Sequence, residues 1–300
     1  MSFRGSLVAL VTPFNSKGSL DRKALASLVE WQIEQGIDGI VCCATTGEGP
    51  ALSASEIRTV AEICIRTAGK RVPIIVSTGA PSTKETIRLT ESALKLGADG
   101  CLVVTPFYNR PSQRGCVAHF TEVAKVGLPM ILYHNPGRAG LRLTVETVVE
   151  IGNIPGVVGY KDSNHDLDFI RRLKKLSSIS ILSGDDDLTF ATMKEGAVGG
   201  ICPIANLIPK SWSRMIHLSI QGKWGEASQL NERYMPLIRS LYTETNPQCF
   251  KFVLDWFGKI HGHLRLPLLT PSWDVQLELK RQFCRLALPQ WSLIRSLQDR

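Results

Sequence analysis

Short apolar runs recur along the chain between residues 6 and 204, and mixed polar segments separate them. Most of these runs are rich in Val and Ile and are bounded by Gly or Pro. They stay apolar at successive positions instead of alternating with polar residues, which is typical of parallel strands buried beneath helices. The pattern predicts eight strands, at 6–14, 39–45, 73–79, 100–107, 129–135, 157–161, 180–184 and 199–204.

The segments between the predicted strands carry apolar residues at helical spacing. In the first of them the apolar residues fall on one face of a helix, and Gly36 follows as a C-terminal stop. A Ser followed three residues later by Glu, at 53–56 and again at 82–85, predicts a capping box that opens a helix. Helices are predicted at 21–35, from 53 onward, and at 82–96, 144–151, 166–176, 188–195 and 209–221.

Eight strand–helix units with short connections favour an α/β fold, the (β/α)8 TIM barrel. A doubly wound open sheet is the alternative, but no Gly-rich dinucleotide fingerprint follows the first strand. The repeat ends near Gly222, and the remaining residues predict helices at 225–242, 247–259 and 275–288. We therefore expect a barrel domain at 1–222 and a C-terminal helical domain at 223–300.

Composition and charge narrow the class of protein. Of the 300 residues, 44% are hydrophobic and 21% are charged, which suits a globular protein with a sizeable core. No apolar run has the length of a membrane helix, and the short run that meets Pro13 is interpreted as a strand and not as a signal peptide. The formal net charge is +8. No basic patch is interleaved with aromatic residues, so nucleic acid is not an expected partner.

The eight cysteines include no CxxC pair. Four of them lie in strand-like runs, where a cysteine behaves as a small hydrophobic residue. A disulfide framework is therefore not expected, and a reducing cytoplasm is the expected location. The four are Cys42, Cys43, Cys101 and Cys202.

Polar and ionisable residues collect just after the predicted strands. In a (β/α)8 barrel the C-terminal ends of the strands meet at one rim, where reactive groups lie. Hydroxyls, phenols, one arginine and one lysine converge there: Thr45, Thr46, Tyr108, Tyr133, Arg138 and Lys161.

Lys161 ends an apolar run, and Asp162 and Ser163 follow it. Burial disfavours the charged form of an amine, and a free amine attacks carbonyl carbon and can form a Schiff base. A lone lysine after a strand is more often a solvated surface residue. Because hydroxyl and phenol groups are expected on the same rim, we interpret Lys161 as a nucleophile.

Five motifs occur in an order that resembles one family. They are Thr45-Thr46-Gly47-Glu48, the segment 105–115 (TPFYNRPSQRG), Tyr133-x-x-Pro136-x-Arg138-x-Gly140, Gly159-x-Lys161 and Ser183-Gly184-Asp185-Asp186. Together they resemble the dihydrodipicolinate synthase family of the pyruvate-lysine aldolases. The resemblance covers nearly the whole chain, including Asn246, Pro247 and Lys251. It implies a barrel with a C-terminal helical domain, assembled as a homotetramer of tight dimers.

The resemblance implies a role for each residue on the rim. Lys161 matches the lysine that forms a Schiff base with pyruvate, and Tyr133 matches the proton shuttle, since a phenol can donate and accept. Thr45 and Tyr108 match the hydroxyls that relay the proton outward. In the family the second tyrosine reaches in from the neighbouring subunit.

Four further positions match substrate contacts of the family. Thr46 matches the residue that holds the carboxylate of pyruvate. Arg138 matches the arginine that binds the carboxylate of L-aspartate 4-semialdehyde, where a bidentate fork adds orientation. Gly184 and Ile201 match positions that line the pyruvate site. The resemblance thus implies a lyase of lysine biosynthesis by way of diaminopimelate, and this lysine chemistry needs no metal or other cofactor.

This chain departs from the family pattern around Arg138. The family usually has Asn, Val, Ser and Thr where this chain has His134, Asn135, Gly137 and Ala139. One alternative is another pyruvate-dependent class I aldolase, of the N-acetylneuraminate lyase or 2-keto-3-deoxy sugar acid aldolase type, although Arg138 argues against it. A non-catalytic binder of small anions is the other, and it would need no proton relay.

Several charged residues receive structural interpretations. The run Asp185–Asp187 could hold a metal ion, but we interpret it as capping the helix after the seventh strand. Glu48 is interpreted as structural, with hydrogen bonds to nearby backbone. His134 is expected on the face of its strand opposite Tyr133. His261 and His263 lack companion ligands for a metal.

The resemblance also predicts the response to L-lysine. In lysine-sensitive bacterial members of the family, polar groups in a cleft between two subunits hold the inhibitor. Only Glu85 keeps that polar character here, so we expect insensitivity to millimolar L-lysine. The corresponding positions are Gly49, Ala54, Ile57, Pro81, Glu85 and Phe107.

Overall fold

The computed structural model describes residues 3–286, and a closed barrel of eight parallel strands lies at its centre. Each strand pairs with the next in chain order, and the eighth closes on the first with Gly5 opposite Gly199. The predicted (β/α)8 class is confirmed. The strands are β1 (Gly5–Ala9), β2 (Gly39–Cys42), β3 (Ile74–Ser77), β4 (Gly100–Val104), β5 (Met130–His134), β6 (Val157–Asp162), β7 (Ser180–Ser183) and β8 (Gly199–Cys202).

Most strands end before the predicted boundary, because the chain leaves the barrel where the rim residues begin. The first strand shows the largest difference: it ends at Ala9, and residues 10–14 are not part of it. The sixth runs one residue further than predicted, to Asp162.

Helices surround the barrel and account for the predicted segments. They are α1 (Arg22–Glu34), α2 (Ala54–Ala68), α3 (Thr83–Lys95), α4 (Gln113–Ala124), α5 (Pro136–Ala139), α6 (Val145–Gly152), α7 (Leu167–Leu176), α8 (Thr189–Lys194) and α9 (Pro209–Ile220). Helix α4 and the single turn α5 were not predicted. The N-cap of α4, Ser112, has Gly115 three residues later in place of Glu, so its sequence carries no capping box.

The two predicted capping boxes differ in the structure. Ser53 and Glu56 bond reciprocally, with Ser53 Oγ accepting from Glu56 N and Glu56 Oε2 accepting from Ser53 N. The prediction of the second box is wrong for one of its two bonds, the one from the Ser82 N–H to the Glu85 carboxylate. Ser82 caps the N–H of Glu85, but the Glu85 carboxylate binds the Arg88 guanidinium on the next turn.

The core has two layers. Inside the barrel, apolar side chains from alternate strand positions pack together, among them Leu7, Ile75, Ile131 and Ile201. A larger apolar layer fills the space between the barrel and the helices. Alternation along each strand therefore sends one residue towards the barrel axis and the next towards the helices.

The C-terminal part forms three helices as predicted: α10 (Trp224–Leu241), α11 (Gln248–Trp256) and α12 (Trp273–Leu286). The last two residues predicted for the third helix lie outside the described residues. Helix α10 packs on α9 of the barrel and on α12, while the division of the chain into two domains at residue 222 stays a prediction. Within residues 3–286, no helix combines the length and apolarity needed to cross a membrane.

Candidate active site

A cavity of about 340 Å³ opens at the C-terminal ends of the strands. Residues 242–246, in the loop between α10 and α11, form part of its wall. Six of the eight predicted site residues line this cavity: Thr45, Thr46, Tyr133, Arg138, Lys161 and Gly184. The topology of the barrel therefore brings together groups that stand up to 139 positions apart in sequence.

Lys161 and Tyr133 form the inner part of the cavity. They lie opposite each other on β6 and β5, and Lys161 Nζ is 4.1 Å from the centre of the Tyr133 ring. Both are buried, with 4% and 6% of their surface exposed. The amine is thus fixed beside the phenol and is open only towards the cavity.

Asn135 holds the Tyr133 phenol from the side. Its Nδ2 donates to the Tyr133 hydroxyl over 2.9 Å, and its Oδ1 accepts from the Arg138 N–H over 3.1 Å. Because the phenol oxygen accepts from Asn135, its own proton remains available for donation. The sequence interpretation missed this residue, although its position two after Tyr133 places both on one side of the strand.

Arg138 lies on α5, a single turn at the rim. Asn135 caps the turn, and Gly140 ends it in the left-handed conformation, with a φ of 67°. The Arg138 side chain is exposed where it borders the cavity. The Arg138 guanidinium therefore lies at the entrance of the cavity, while Lys161 lies at its floor.

The loop after β2 is bonded to the C-terminal part of the chain by a hydrogen bond and an ion pair. Asn246 Nδ2 donates to Thr46 Oγ1 over 3.0 Å, and Lys251 Nζ lies 2.7 Å from Glu48 Oε1. Both members of the ion pair are buried. Glu48 Oε2 also accepts from the backbone N–H of Arg265. The structural interpretation of Glu48 is confirmed, and its buried cationic partner, 203 residues away, is an addition.

Burial and charge act in opposite directions on Lys251. Burial lowers the pKa of this ammonium, and the Glu48 carboxylate opposes that shift. The ammonium also donates to the carbonyl of Thr12 over 3.0 Å and lies 4.3 Å from the centre of the Phe14 ring. The pair therefore ties the start of the barrel, the β2 loop and α11 together.

The interpretation of Asp185–Asp187 as helix caps is wrong. Helix α8 begins at Thr189, and its N-cap, Leu188, makes no side-chain hydrogen bond. Asp186 is fully buried instead, and its Oδ2 accepts from the Ile204 N–H and from the Tyr242 hydroxyl, each over 2.9 Å. Burial raises the pKa of Asp186 to about 7.

Asp185 faces the cavity, where its Oδ2 lies 3.2 Å from His165 Nε2. Burial raises the pKa of Asp185 above its ordinary value. No group of three His, Cys, Asp or Glu side chains within residues 3–286 is arranged to hold a metal ion.

Two predicted site residues lie outside the cavity. Ile201 is fully buried on β8 in the barrel interior, in the apolar cluster that includes Tyr133. Tyr108 is 89% exposed on the loop after β4, with a left-handed φ of 66° that is rare for a bulky residue. Its hydroxyl is therefore not part of the cavity of its own chain.

A second cavity of about 480 Å³ adjoins the first and shares Thr45, Tyr133 and Arg138 with it. Its other walls are mainly apolar, and the carboxylate of Glu85 is engaged by Arg88. All six positions predicted for a lysine cleft line it: Gly49, Ala54, Ile57, Pro81, Glu85 and Phe107.

The sequence profile of the Dihydrodipicolinate synthetase family matches residues 2–285. The chain belongs to this family. The resemblance inferred from the motifs is confirmed, and with it the assignment to lyase-type class I aldolases. The 4-hydroxy-tetrahydrodipicolinate synthase of Thermodesulfovibrio yellowstonii is 41% identical over 273 residues, which cover 90% of this chain and 94% of that protein.

Solved structures of the dihydrodipicolinate synthetase family share the whole fold. The dihydrodipicolinate synthase of Acinetobacter baumannii, solved in complex with pyruvate, gives a TM-score of 0.94 at 40% identity, over 95% of this chain and 99% of that chain. The enzyme of Cyanidioschyzon merolae with lysine bound gives a TM-score of 0.93 at 33% identity, over 96% and 100% of the two chains.

Proposed function

We propose that the protein is a 4-hydroxy-tetrahydrodipicolinate synthase, which condenses pyruvate with L-aspartate 4-semialdehyde. The observation that carries the proposal is the buried Lys161 amine, 4.1 Å from the Tyr133 ring centre at the floor of a cavity with Arg138 at its rim. The names of relatives about 40% identical over most of the chain support it, as does pyruvate in the related Acinetobacter baumannii structure.

The first stage activates pyruvate. The Lys161 amine adds to the ketone carbon, and loss of water gives an iminium. The iminium draws electrons from the neighbouring methyl group, so that a methyl proton leaves and an enamine forms. Tyr133 is placed to carry protons in these steps, because Asn135 occupies an acceptor site of the phenol and leaves its proton available.

Two groups suit the substrate carboxylates. Thr46 Oγ1 accepts from Asn246, so its own hydroxyl proton can be donated to the carboxylate of pyruvate. Arg138 can take the carboxylate of the aldehyde at the rim through a two-pronged hydrogen bond. The two carboxylates would then be held at different depths, with the nucleophilic carbon of the enamine between them.

The second stage forms the carbon–carbon bond. The enamine carbon attacks the aldehyde carbon, whose oxygen takes up a proton and becomes a hydroxyl. The amino group that the aldehyde substrate carries then attacks the iminium carbon and closes the ring. Expulsion of the Lys161 amine completes the cycle without a metal or other cofactor.

The position of Tyr108 supports a relay that is completed in a dimer. This tyrosine is almost fully exposed, and its neighbour Phe107 lines the cavity that adjoins the active site. We propose that Tyr108 enters the active site of a second copy of the chain, next to Thr45, and that two such dimers form a tetramer. A cytoplasmic location accords with seven buried thiols and the absence of a disulfide within residues 3–286.

An assay of the condensation tests the proposed function. Pyruvate is combined in turn with L-aspartate 4-semialdehyde, N-acetylmannosamine and small sugar aldehydes, and consumption of pyruvate is followed. The proposal expects kcat/KM to be highest with L-aspartate 4-semialdehyde and to fall strongly when Arg138 is changed to Leu. A preference for a sugar aldehyde would favour another pyruvate-dependent aldolase, and no turnover with any aldehyde would favour a binding protein.

A further inference from the structure

Three buried side chains form a hydrogen-bonded chain directly behind Lys161 and Tyr133. His134 Nδ1 lies 2.9 Å from the Tyr160 hydroxyl, and that hydroxyl donates to Asp162 Oδ1 over 2.6 Å. All three are 5% exposed or less. We call them the His134–Tyr160–Asp162 chain, and none of the three lines the active-site cavity.

A backbone hydrogen bond to His134 determines which atom donates in each bond of the His134–Tyr160–Asp162 chain. The backbone N–H of Leu143 donates to His134 Nε2 over 2.9 Å, so that nitrogen carries no proton in a neutral imidazole. The proton must then be on Nδ1, which donates to the Tyr160 oxygen. The single proton of Tyr160 therefore goes to Asp162, and the carboxylate form of Asp162 is the one that completes the chain.

Alternation along β5 and β6 places the His134–Tyr160–Asp162 chain directly behind the active site. Lys161 lies between Tyr160 and Asp162 on β6, and Tyr133 precedes His134 on β5, so the catalytic pair faces the cavity and the chain faces the helices. The register pairs Tyr133 with Lys161 and His134 with Asp162. The chain thus joins the ends of the two strands from behind, and through Leu143 it holds the segment that follows α5.

We propose that the His134–Tyr160–Asp162 chain positions Lys161 and Tyr133 for the reaction, and that it does so only while Asp162 is ionised. The proposal rests on the proposed function, in that Lys161 is the nucleophile and Tyr133 the proton carrier. The three members are positioning residues, since none of them borders the space in which a substrate can bind.

Protonation of Asp162 on either oxygen would weaken the chain, because a hydrogen bond from the Tyr160 hydroxyl to a carboxylate is stronger than one to a neutral carboxyl group. A proton on Oδ1 would face the Tyr160 hydroxyl, which already accepts from His134 and would lose the acceptor for its own proton. A buried donor without an acceptor is unfavourable, so the side chains would separate. Asn164 N is a second, longer donor to this carboxylate, 3.4 Å from Oδ2.

The surroundings place this event near neutral pH. Burial raises the pKa of Asp162 to about 6, with the Tyr160 hydroxyl opposing the shift, Asp185 adding to it and His165 reducing it. Burial, assisted by the charge of Arg142, lowers the pKa of His134 to about 4. Arg142 in turn pairs with Asp166, whose charge contributes to the raised pKa of Tyr160. The chain is therefore intact above about pH 6 and weakens as pH falls through that value.

Three variants separate hydrogen bonding from packing. Asp162→Asn keeps an oxygen for the Tyr160 proton but offers a neutral acceptor at every pH, so we expect its kcat at pH 8 to fall to about the level that wild type shows below pH 6, with no acid limb near pH 6. Tyr160→Phe removes the central link, so we expect kcat to fall by about tenfold or more, with a smaller change in KM for pyruvate. Phe169→Leu is the packing control, because Phe169 contacts both rings without a hydrogen bond.

The decisive readouts are the pH profile and the histidine tautomer. In protein labelled with ¹⁵N at histidine, the His134 signal, assigned with His134→Asn, should show a protonated Nδ1 that responds to pH with a midpoint near 6 in wild type but not in Asp162→Asn. This readout does not depend on which aldehyde reacts, so it stands even if the proposed function fails. A protonated Nε2, an unchanged acid limb in Asp162→Asn, or wild-type kcat in Tyr160→Phe would each overturn the proposal.

Discussion

Gly184 lies against the side chain of Lys161. A Cβ at residue 184 would be 2.8 Å from Lys161 Cε, 2.5 Å from the Asp162 carbonyl oxygen and 2.3 Å from Ser163 Oγ. The backbone N–H of Gly184 also donates to that carbonyl over 2.6 Å. The two atoms nearest to such a Cβ cannot both move away without disturbing the strand, so the absent side chain is what leaves room for the nucleophile.

Changing Gly184 to Ala should displace the Lys161 amine. We expect the rate of Schiff-base formation with pyruvate to fall by about 100-fold or more, since about 1 Å of misplacement can cost that much. The rate of borohydride trapping measures it. Gly225→Ala is the matched control, because a Cβ there meets no atom within 4 Å and the change should leave the rate unaltered. Equal trapping rates in both variants would contradict this role of Gly184.

The Lys251–Glu48 pair should be costly to break from one side. Lys251→Met leaves a buried carboxylate without its cation, and we expect a loss of about 3–5 kcal/mol in the free energy of unfolding in urea. The double variant Lys251→Met with Glu48→Gln should lose less, because no buried charge is left without a partner. Arg58→Ala, which breaks an exposed pair with Glu62, should cost below about 1 kcal/mol. Similar losses in all three variants would contradict the account.

The barrel and most of the rim could be predicted from the sequence, because both depend on local patterns. Runs of Val and Ile bounded by Gly mark the strands, and strand ends in a parallel barrel meet at one rim. Helix α4 escaped prediction because its N-terminal signal is weak. Its Ser112 caps the N–H of Gly115, and no acidic residue stands in the first turn.

The supporting contacts of the site could not be predicted in the same way. Lys251 meets Glu48 across 203 positions, and Tyr242 meets Asp186 across 56, so no local pattern signals either pair. The preference of aspartate for helix caps gave a wrong prediction for Asp185–Asp187, because Asp186 is instead buried against Tyr242. Asn135 could have been predicted, since it comes two positions after Tyr133, directly past the end of β5, and alternation along an extended chain puts both on one side.

A dimer that shares its proton relay predicts complementation between inactive variants. Tyr108→Phe and Lys161→Ala should each be nearly inactive alone. In a mixed dimer, the subunit with an intact Lys161 receives an intact Tyr108 from its partner, so some activity should return on mixing. Exchange of subunits is checked by mass spectrometry of the intact dimers. Confirmed exchange with no return of activity would place the relay within one chain, against the exposure of Tyr108.

L-Lysine at millimolar concentration should leave the initial rate unchanged. The charged groups of an amino acid would enter a cleft with mainly apolar walls, and the carboxylate of Glu85 is already bound to Arg88. Each unmade hydrogen bond to a desolvated group costs about 1–3 kcal/mol, and about 1.4 kcal/mol is a tenfold loss of affinity. The test is a titration with both substrates near half-saturation. Inhibition at L-lysine concentrations below about 1 mM would contradict it.

The identity of the nucleophile is the central claim, and trapping of the pyruvate adduct tests it most directly. The protein is incubated with pyruvate, reduced with borohydride, digested and mapped by mass spectrometry. The account predicts one reduced adduct, on the peptide that contains Lys161, and no adduct in Lys161→Ala, whose fold is checked by circular dichroism. A stable adduct on another lysine, or none on wild-type protein that consumes pyruvate in the condensation, would contradict it.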